Sequence, residues 1–186
     1  ICMSTERIVV DESIADEFVA KFAARAKELP AGDPTKNAAC VIGPMVAKES
    51  GTRLNALIDD ALTKGAKLAT GGHADGAATI VDHVKPGMKI YDEETFGPIT
   101  TVVRVKGVDE AVSVANDTAY GLSSGVFGRD VTRALGVAMQ IDCGSVHVNG
   151  STVQNEAQAP YGGMKDSGYG RVDGRAVIDE FTELKW

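Results

Sequence analysis

The sequence predicts an α/β fold, an open and mostly parallel twisted sheet with flanking helices. Short runs of β-branched residues alternate along the chain with segments that place apolar residues three or four positions apart. Parallel strands are joined through helices, so this alternation favours a parallel sheet over an antiparallel one. With 186 residues, 44% of them apolar, the chain is long enough to bury a core.

Two long amphipathic helices are predicted in the first half. Ile14, Phe18 and Phe22 recur at helical spacing in the first, which ends at the run from Pro30 to Pro34. Gly65 follows the second helix, where a left-handed residue commonly ends one. The apolar stripe predicted for this helix consists of Leu54, Leu57, Ile58, Ala61 and Leu62. The predicted elements are a strand over 6–10, a helix over 11–29, a helix over 46–64, and strands over 67–69 and 79–81.

The second half continues the alternation with shorter elements. Val108, Ala111, Val112 and Ala115 share one helical face, and a glycine-rich loop covers 150–170. The predicted elements are strands over 99–105, 125–127 and 145–149, helices over 108–116, 131–140 and 171–178, and a closing strand over 180–186.

One domain is predicted over residues 1–178, followed by a separate strand segment over 179–186. In that segment apolar and polar residues alternate from Phe181 to Trp186, so one face of the strand needs a partner. We therefore expect it to complete a sheet in another subunit. Both chain ends interrupt the pattern abruptly, and we expect the chain to be part of a longer protein.

Composition excludes several classes of function. The net charge is −7 with scattered lysines and arginines, which argues against a nucleic-acid-binding surface. No apolar run approaches the roughly 18–20 residues that a membrane helix needs. Cysteines and histidines occur singly, which predicts reduced thiols in the cytoplasm and no metal site. They are Cys2, Cys40, Cys143, His73, His83 and His147.

Two short stretches carry candidate chemistry. Cys2 precedes the first strand, but a lone cysteine is more often a small buried hydrophobe than a nucleophile, and the local sequence supplies no clear activating base. Glu94 and Phe96 lie in a tight turn before a strand, where Glu94 could accept hydrogen bonds from ribose hydroxyls and Phe96 could pack on a flat ring. The alternative is a solvated acidic turn with a core phenylalanine.

The glycine loop partly matches a dinucleotide-binding fingerprint. Gly168, Gly170 and Gly174 come close to that pattern, but the spacing differs by one residue and no β-α unit surrounds them. We therefore interpret these glycines as serving tight turns and close backbone packing.

Five motifs follow one another along the chain. They are Cys2 with Arg7; Glu94-Thr95-Phe96-Gly97-Pro98; Asn116 with Tyr120-Gly121-Leu122; Gly144-Ser145-Val146-His147-Val148-Asn149; and Pro160, Gly162, Gly163, Lys165, Ser167, Gly168, Gly170 and Arg171. In this order they resemble the C-terminal, catalytic-domain part of the NAD(P)+-dependent aldehyde dehydrogenase superfamily over the whole chain. The stretches from 147 to 163 and from 181 to 186 are most similar to vanillin, benzaldehyde and salicylaldehyde dehydrogenases, although Ser151 and Gln154-Asn155 depart from that pattern.

The resemblance implies an oxidoreductase in which Cys2 attacks an aldehyde. The similarity to the vanillin, benzaldehyde and salicylaldehyde subgroup further implies that this aldehyde is aromatic. The family resemblance also implies that Glu94 holds the nicotinamide ribose of NAD or NADP, that Phe96 packs near the nicotinamide, and that Tyr120, Asn149 and the glycine loop are structural. The oxyanion-hole asparagine, the general-base glutamate and the cofactor-binding domain of this family lie upstream. The expected partners are the aldehyde, that N-terminal domain, and further copies in a homodimer or homotetramer.

Two other functions stay open at this level. The chain could be a non-catalytic fragment that acts only through subunit association, or a cysteine esterase that uses the same thiol without NAD. If it is the catalytic portion of a dehydrogenase, we expect it to be inactive without the upstream groups.

Overall fold

The computed structural model describes residues 1–73 and 76–186, which divide into two compact units. One, here called the sheet unit, comprises residues 6–107, and the other, the loop unit, comprises residues 1–5 and 108–186.

The sheet unit is built on four strands in the order β1-β4-β3-β2. Strand β4 lies parallel to both β1 and β3, and β2 runs antiparallel to β3 at one edge. The elements of this unit are β1 (Arg7–Asp11), α1 (Glu12–Lys27), α2 (Lys48–Thr63), β2 (Lys67–Thr70), β3 (Thr79–Asp82), α3 (Lys89–Asp92) and β4 (Ile99–Val105).

Helix α1 packs on the sheet through small residues. Its N-cap Asp11 accepts a hydrogen bond from the Ser13 N–H, which satisfies one free donor of the first turn. The buried side chains form one core cluster with strand residues: Ala15, Val19, Ala23 and Ala26 with Val10, Ile80 and Val102. Phe18 and Phe22 are only partly buried beside it, and the prediction that Ile14 faces the core is wrong, since 57% of Ile14 is exposed.

Helix α2 buries the face that the sequence predicts. Leu54 and Ile58 are fully buried, and each contributes about 1.5–3 kcal/mol relative to exposure. Gly65 follows the helix with φ of 99°, and its N–H donates to the Leu62 carbonyl, which confirms the predicted helix end.

The loop unit contains two small sheets. Strands β6 and β7 are parallel, and β5 and β8 are antiparallel. Its elements are α4 (Gly107–Asn116, starting at the unit boundary), β5 (Tyr120–Gly121), β6 (Ser123–Val126), α5 (Val131–Ala138), β7 (Ser145–Val148), β8 (Met164–Lys165) and α6 (Ala176–Phe181). The predicted α/β class with a mostly parallel sheet and flanking helices is therefore confirmed, with the strands divided among three sheets.

The largest corrections fall after residue 160. The predicted helix over 171–178 begins later, at Ala176, because Val172 pairs with Tyr161 and Gly174 has φ of 51°. The closing strand predicted over 180–186 is wrong at its start, since Phe181 still belongs to α6. Residues 182–186 pair with no strand of the described chain, so their pairing with another subunit stays a prediction.

Three short elements were not predicted: α3, β5 and β8. A two-residue strand is defined by its partner across the ladder and carries no periodicity of its own. Among the helices formed by residues 1–73 and 76–186, none has both the length and the apolar character that crossing a bilayer requires. The same residues contain no cluster of three His, Cys, Asp or Glu side chains suited to a metal ion.

Candidate active site

Cys2 is exposed and lies on a short turn in which the Ser4 N–H donates to the Ile1 carbonyl. The segment is fixed by Thr152, whose hydroxyl donates to the Met3 carbonyl at 2.7 Å and lies 2.9 Å from the Thr5 hydroxyl. The Cys2 Sγ lies 3.8 Å from the hydroxyl oxygen of Tyr161, within reach of a thiol–hydroxyl hydrogen bond. The thiol is thus held in place yet open to solvent.

Tyr161 is positioned by the backbone of the glycine loop. Its N–H and carbonyl exchange two hydrogen bonds with Val172, each 2.8 Å long. The Arg171 guanidinium braces the same loop by donating to the Gly163 carbonyl at 2.9 Å and the Gly170 carbonyl at 2.7 Å. Burial raises the pKa of Tyr161, and its hydrogen bond to Cys2 and the charge of Cys2 raise it further.

The glycines allow backbone segments to approach closely. A Cβ on Gly144 would collide with the Gly162 carbonyl, and a Cβ on Gly170, which has φ of 68°, would meet the Glu180 carboxylate at 2.7 Å. The prediction that the glycines of the loop serve turns and close packing is confirmed at Gly170.

Polar motif residues of the loop unit hold the fold together. The Lys165 ammonium donates to the Asn116 carbonyl at 2.8 Å and the Thr118 carbonyl at 3.1 Å, just past the end of α4. The Asn149 side chain both accepts from the Gly128 N–H and donates to the Gly128 carbonyl. These contacts support the structural role expected for Asn149.

In the sheet unit, the turn that carries Glu94 and Phe96 is held from two sides. The Glu6 carboxylate accepts from the Thr95 N–H at 2.7 Å and the Phe96 N–H at 2.8 Å. The Arg53 guanidinium donates to the Glu94 carbonyl at 3.0 Å and the Thr95 carbonyl at 2.6 Å. Phe96 is fixed with φ of 43°, a left-handed conformation that costs free energy outside glycine.

The two candidate cofactor residues are available to a ligand. The Glu94 carboxylate has no hydrogen-bond partner among residues 1–73 and 76–186, and Phe96 is 58% exposed. The alternative of a core phenylalanine at this position is therefore wrong. An exposed carboxylate beside an exposed ring on a fixed turn fits contact with the ribose and nicotinamide of a dinucleotide.

The structure thus places the predicted site residues in both units, with Cys2 in the loop unit and Glu94 and Phe96 in the sheet unit. Sequence reasoning missed Tyr161, Glu6 and Arg53 as their supports. Tyr161 is 159 positions from Cys2, so no local pattern could pair them. The sequence shows a carboxylate at Glu6, four residues after Cys2, but gives no sign that it accepts hydrogen bonds from Thr95 and Phe96.

Cys143, unlike Cys2, is half-buried. Burial raises its pKa, and its Sγ lies 3.0 Å from the Ser145 carbonyl. It lines an apolar pocket of about 350 Å³ between α5 and β7, together with Leu135, Met139 and Val146. A protonated, half-buried thiol is a poor nucleophile, so Cys2 is the better candidate.

Fold and site together define an α/β protein with an exposed, anchored thiol beside a glycine-rich loop. A family model described as "Aldehyde dehydrogenase family" matches residues 1–186, and the chain belongs to this family.

Curated relatives match the whole chain. A salicylaldehyde dehydrogenase of Pseudomonas putida is 69% identical over 189 aligned residues, and a vanillin dehydrogenase of Pseudomonas fluorescens is 48% identical over 189. Both alignments cover 100% of this chain and 39% of the relative. The chain therefore spans about two fifths of the length of these relatives.

Solved structures agree with the fold. A salicylaldehyde dehydrogenase from Pseudomonas putida G7, complexed with salicylaldehyde, superposes with a TM-score of 0.97 at 67% identity, covering 100% of this chain and 39% of that one. An NADP-dependent glyceraldehyde-3-phosphate dehydrogenase from Bacillus halodurans C-125, complexed with NADP, gives a TM-score of 0.87 at 34% identity, with coverage of 93% and 37%.

Proposed function

We propose that this chain is the thiol-bearing portion of an NAD(P)+-dependent aldehyde dehydrogenase that oxidises an aromatic aldehyde to the carboxylic acid. The observation that carries the proposal is the exposed Cys2 thiol, held by Thr152 and facing Tyr161, in a chain of this family. The similarity to salicylaldehyde and vanillin dehydrogenases supports an aromatic substrate. Reduced thiols and the absence of a disulfide among the described cysteines support a cytoplasmic location.

The chemistry starts at Cys2. Its thiolate adds to the aldehyde carbon, forming a carbon–sulfur bond and a thiohemiacetal oxyanion. The Cys2 backbone N–H and a side-chain amide from the upstream part of the protein stabilise that oxyanion. Loss of hydride oxidises the carbon to a thioester, and water then displaces the Cys2 thiolate to give the acid.

A bound NAD+ or NADP+ supplies the two-electron acceptor for that hydride. Glu94 would accept hydrogen bonds from the ribose hydroxyls of the nicotinamide half, and Phe96 would pack near its ring. Glu6 and Arg53 fix the turn before any ligand arrives. The backbone of Glu94 and Phe96 therefore loses little conformational freedom on binding. Recognition of the 2′ position, which separates NAD from NADP, belongs to the upstream domain.

Substitution of the thiol tests this function in the full-length protein that contains these residues. Cys2→Ala should lower NADH formation from salicylaldehyde or benzaldehyde by at least about a thousandfold, because the covalent step is lost. Cys40→Ala is the matched control and should retain activity. The 186-residue chain alone should form no NADH, and robust turnover by it would overturn the requirement for upstream groups.

An alternative is that the chain acts only through subunit association. The exposed apolar side chains of Leu184 and Trp186 support this alternative, because a second subunit could bury them. An inactive but assembled full-length protein would support that alternative.

A third function, ester hydrolysis by the same thiol, is tested with p-nitrophenyl acetate. Hydrolysis that survives Cys2→Ala excludes Cys2 as its nucleophile.

A further inference from the structure

The contact between Cys2 and Tyr161 has a chemical consequence beyond packing. Cys2 Sγ and the Tyr161 hydroxyl are 3.8 Å apart, and Cys2 is exposed while Tyr161 is partly buried. A phenol can either accept from a thiol or donate to a thiolate. Donation to the charged form is the stronger interaction, because hydrogen bonds with an ionised partner are shorter and stronger than neutral ones.

We propose that the Tyr161 hydroxyl donates a hydrogen bond to the Cys2 thiolate and so holds the nucleophile in its charged form. Cys2, which is exposed, releases its proton to solvent water, and Tyr161 keeps its own proton throughout. Hydrogen bonds at catalytic groups are often long before substrate binds and tighten afterwards, so 3.8 Å is compatible with this role. The proposal rests on Cys2 being the nucleophile of the proposed function.

The backbone around Tyr161 is suited to this task. Two hydrogen bonds to Val172 fix the main chain, and Arg171 braces the loop on either side of β8. The phenol is therefore presented by a fixed loop whose glycines cannot be replaced without collision at Gly162 or Gly163. A hydroxyl held in advance stabilises the thiolate without an ordering cost at the moment of reaction.

Charged side chains of the glycine loop and of the segment after Cys2 are hydrogen-bonded to backbone groups. Lys165 donates to carbonyls past α4, and the Arg171 guanidinium donates to Gly163 and Gly170. The Glu6 carboxylate accepts from two backbone N–H groups.

The test is the pH profile of iodoacetamide alkylation at Cys2, followed by peptide mass spectrometry between pH 6 and 10. In Tyr161→Phe the midpoint should rise by about one pH unit, because one charge-assisted hydrogen bond to the thiolate is lost. The rate at high pH should increase by about threefold, because a thiolate of higher pKa is the better nucleophile. A merely structural role would not couple these two changes.

Tyr169→Phe is the matched control, since Tyr169 lies in the same loop and is fully exposed. It should leave the Cys2 midpoint unchanged, and slow alkylation of Cys143 in each variant reports that the loop unit is folded. An unchanged midpoint in Tyr161→Phe, or an equal shift in Tyr169→Phe, would overturn the proposal.

A second measurement needs no substitution. With ¹³C-labelled tyrosine, the NMR titration of Tyr161 should show a lower pKa after Cys2 is capped with methyl methanethiosulfonate, because the charged acceptor is gone. No change on capping would count against the proposal even if Tyr161→Phe failed to fold. Neither measurement uses an aldehyde or NAD. A full-length protein without dehydrogenase activity would therefore refute the proposed function, whereas the hydrogen bond from Tyr161 to the Cys2 thiolate is tested independently of that activity.

Discussion

Glu6 is the residue on which the turn around Thr95 depends. A single carboxylate accepts two successive backbone N–H groups, at 2.7 and 2.8 Å. These donors belong to a turn whose Phe96 has a left-handed backbone, so the carboxylate also stabilises an unfavourable conformation. Without the carboxylate, the Thr95 and Phe96 N–H groups would have to bond to water, and the left-handed backbone of Phe96 would lose its support.

We expect Glu6→Gln to lower the free energy of unfolding by about 1–2 kcal/mol, since an amide is neutral and presents one acceptor in place of two. In the full-length protein the same substitution should weaken cofactor binding, because Glu94 and Phe96 are no longer held. Urea unfolding and a fluorescence titration with NADH measure the two effects. Glu93→Gln, at an exposed carboxylate of the same turn, is the control, and equal effects from both would refute the role of Glu6.

At this scale the sequence indicates candidate site residues but not the residues that hold them in place. Cys2, Glu94 and Phe96 follow from motifs, because each motif is contiguous. Their supports come from distant parts of the chain: Tyr161 is 159 positions from Cys2, and Arg53 is 41 positions from Glu94. Such pairs form only after the backbone has folded, and no spacing rule predicts them.

At the scale of elements, an ion-pair group joins β3, β4 and α1. Arg104 donates to both carboxylate oxygens of Asp82, at 3.1 and 2.7 Å, and to Asp16 at 2.6 Å. Burial raises the pKa of Asp82, but hydrogen bonds from Arg104 and the His83 N–H, with both their charges, lower it below its ordinary value. The Asp82 side chain is 7% exposed, whereas that of Asp16 is 91% exposed.

We expect Asp82→Asn to lower the free energy of unfolding by about 2 kcal/mol at pH 7, because Arg104 loses its buried partner. The folded pKa of Asp82 lies below the unfolded one, so its stabilising effect is complete above the unfolded pKa and disappears as the pH falls through the folded pKa. The gap between wild type and variant should therefore begin to narrow below about pH 4 and narrow further as the pH falls toward the folded pKa. Urea unfolding at several pH values measures it.

Asp16→Asn is the comparison variant, and an exposed ion pair of this kind should contribute no more than about 0.5 kcal/mol. Equal losses from the two variants, or a gap for Asp82→Asn that does not narrow between pH 6 and pH 3, would contradict the assignment.

The buried face of helix α1 is shifted by one residue from the face that the sequence predicts. The sequence favours Ile14, Phe18 and Phe22 because they are large and apolar. The fold instead buries Ala15 and its helical neighbours, since small side chains let the helix lie close to β1, β3 and β4. The two phenylalanines pack beside that contact with ring centroids 5.8 Å apart. In α2, where the large residues themselves form the stripe, the sequence predicts the buried face correctly.

At the scale of the whole molecule, the segment after α6 exposes large apolar side chains. Residues 182–186 continue beyond the helix with Thr182 in an extended conformation, and Leu184 and Trp186 are fully exposed. In an extended chain these two side chains point to one face, while Glu183 and Lys185 point to the other. We propose that this segment adds a strand to another subunit and buries the apolar face there.

Two double substitutions test that proposal in the full-length protein. If the segment joins subunits, Leu184→Ser with Trp186→Ser should convert the predicted homodimer or homotetramer to smaller species, because burying each large apolar side chain is worth about 1.5–3 kcal/mol. Glu183→Ser with Lys185→Ser changes the same number of residues on the opposite face and should leave the assembly intact. Sedimentation equilibrium distinguishes the species. If both double variants keep the mass of the wild type, the segment does not hold the subunits together; if both dissociate, backbone pairing rather than the apolar face determines assembly.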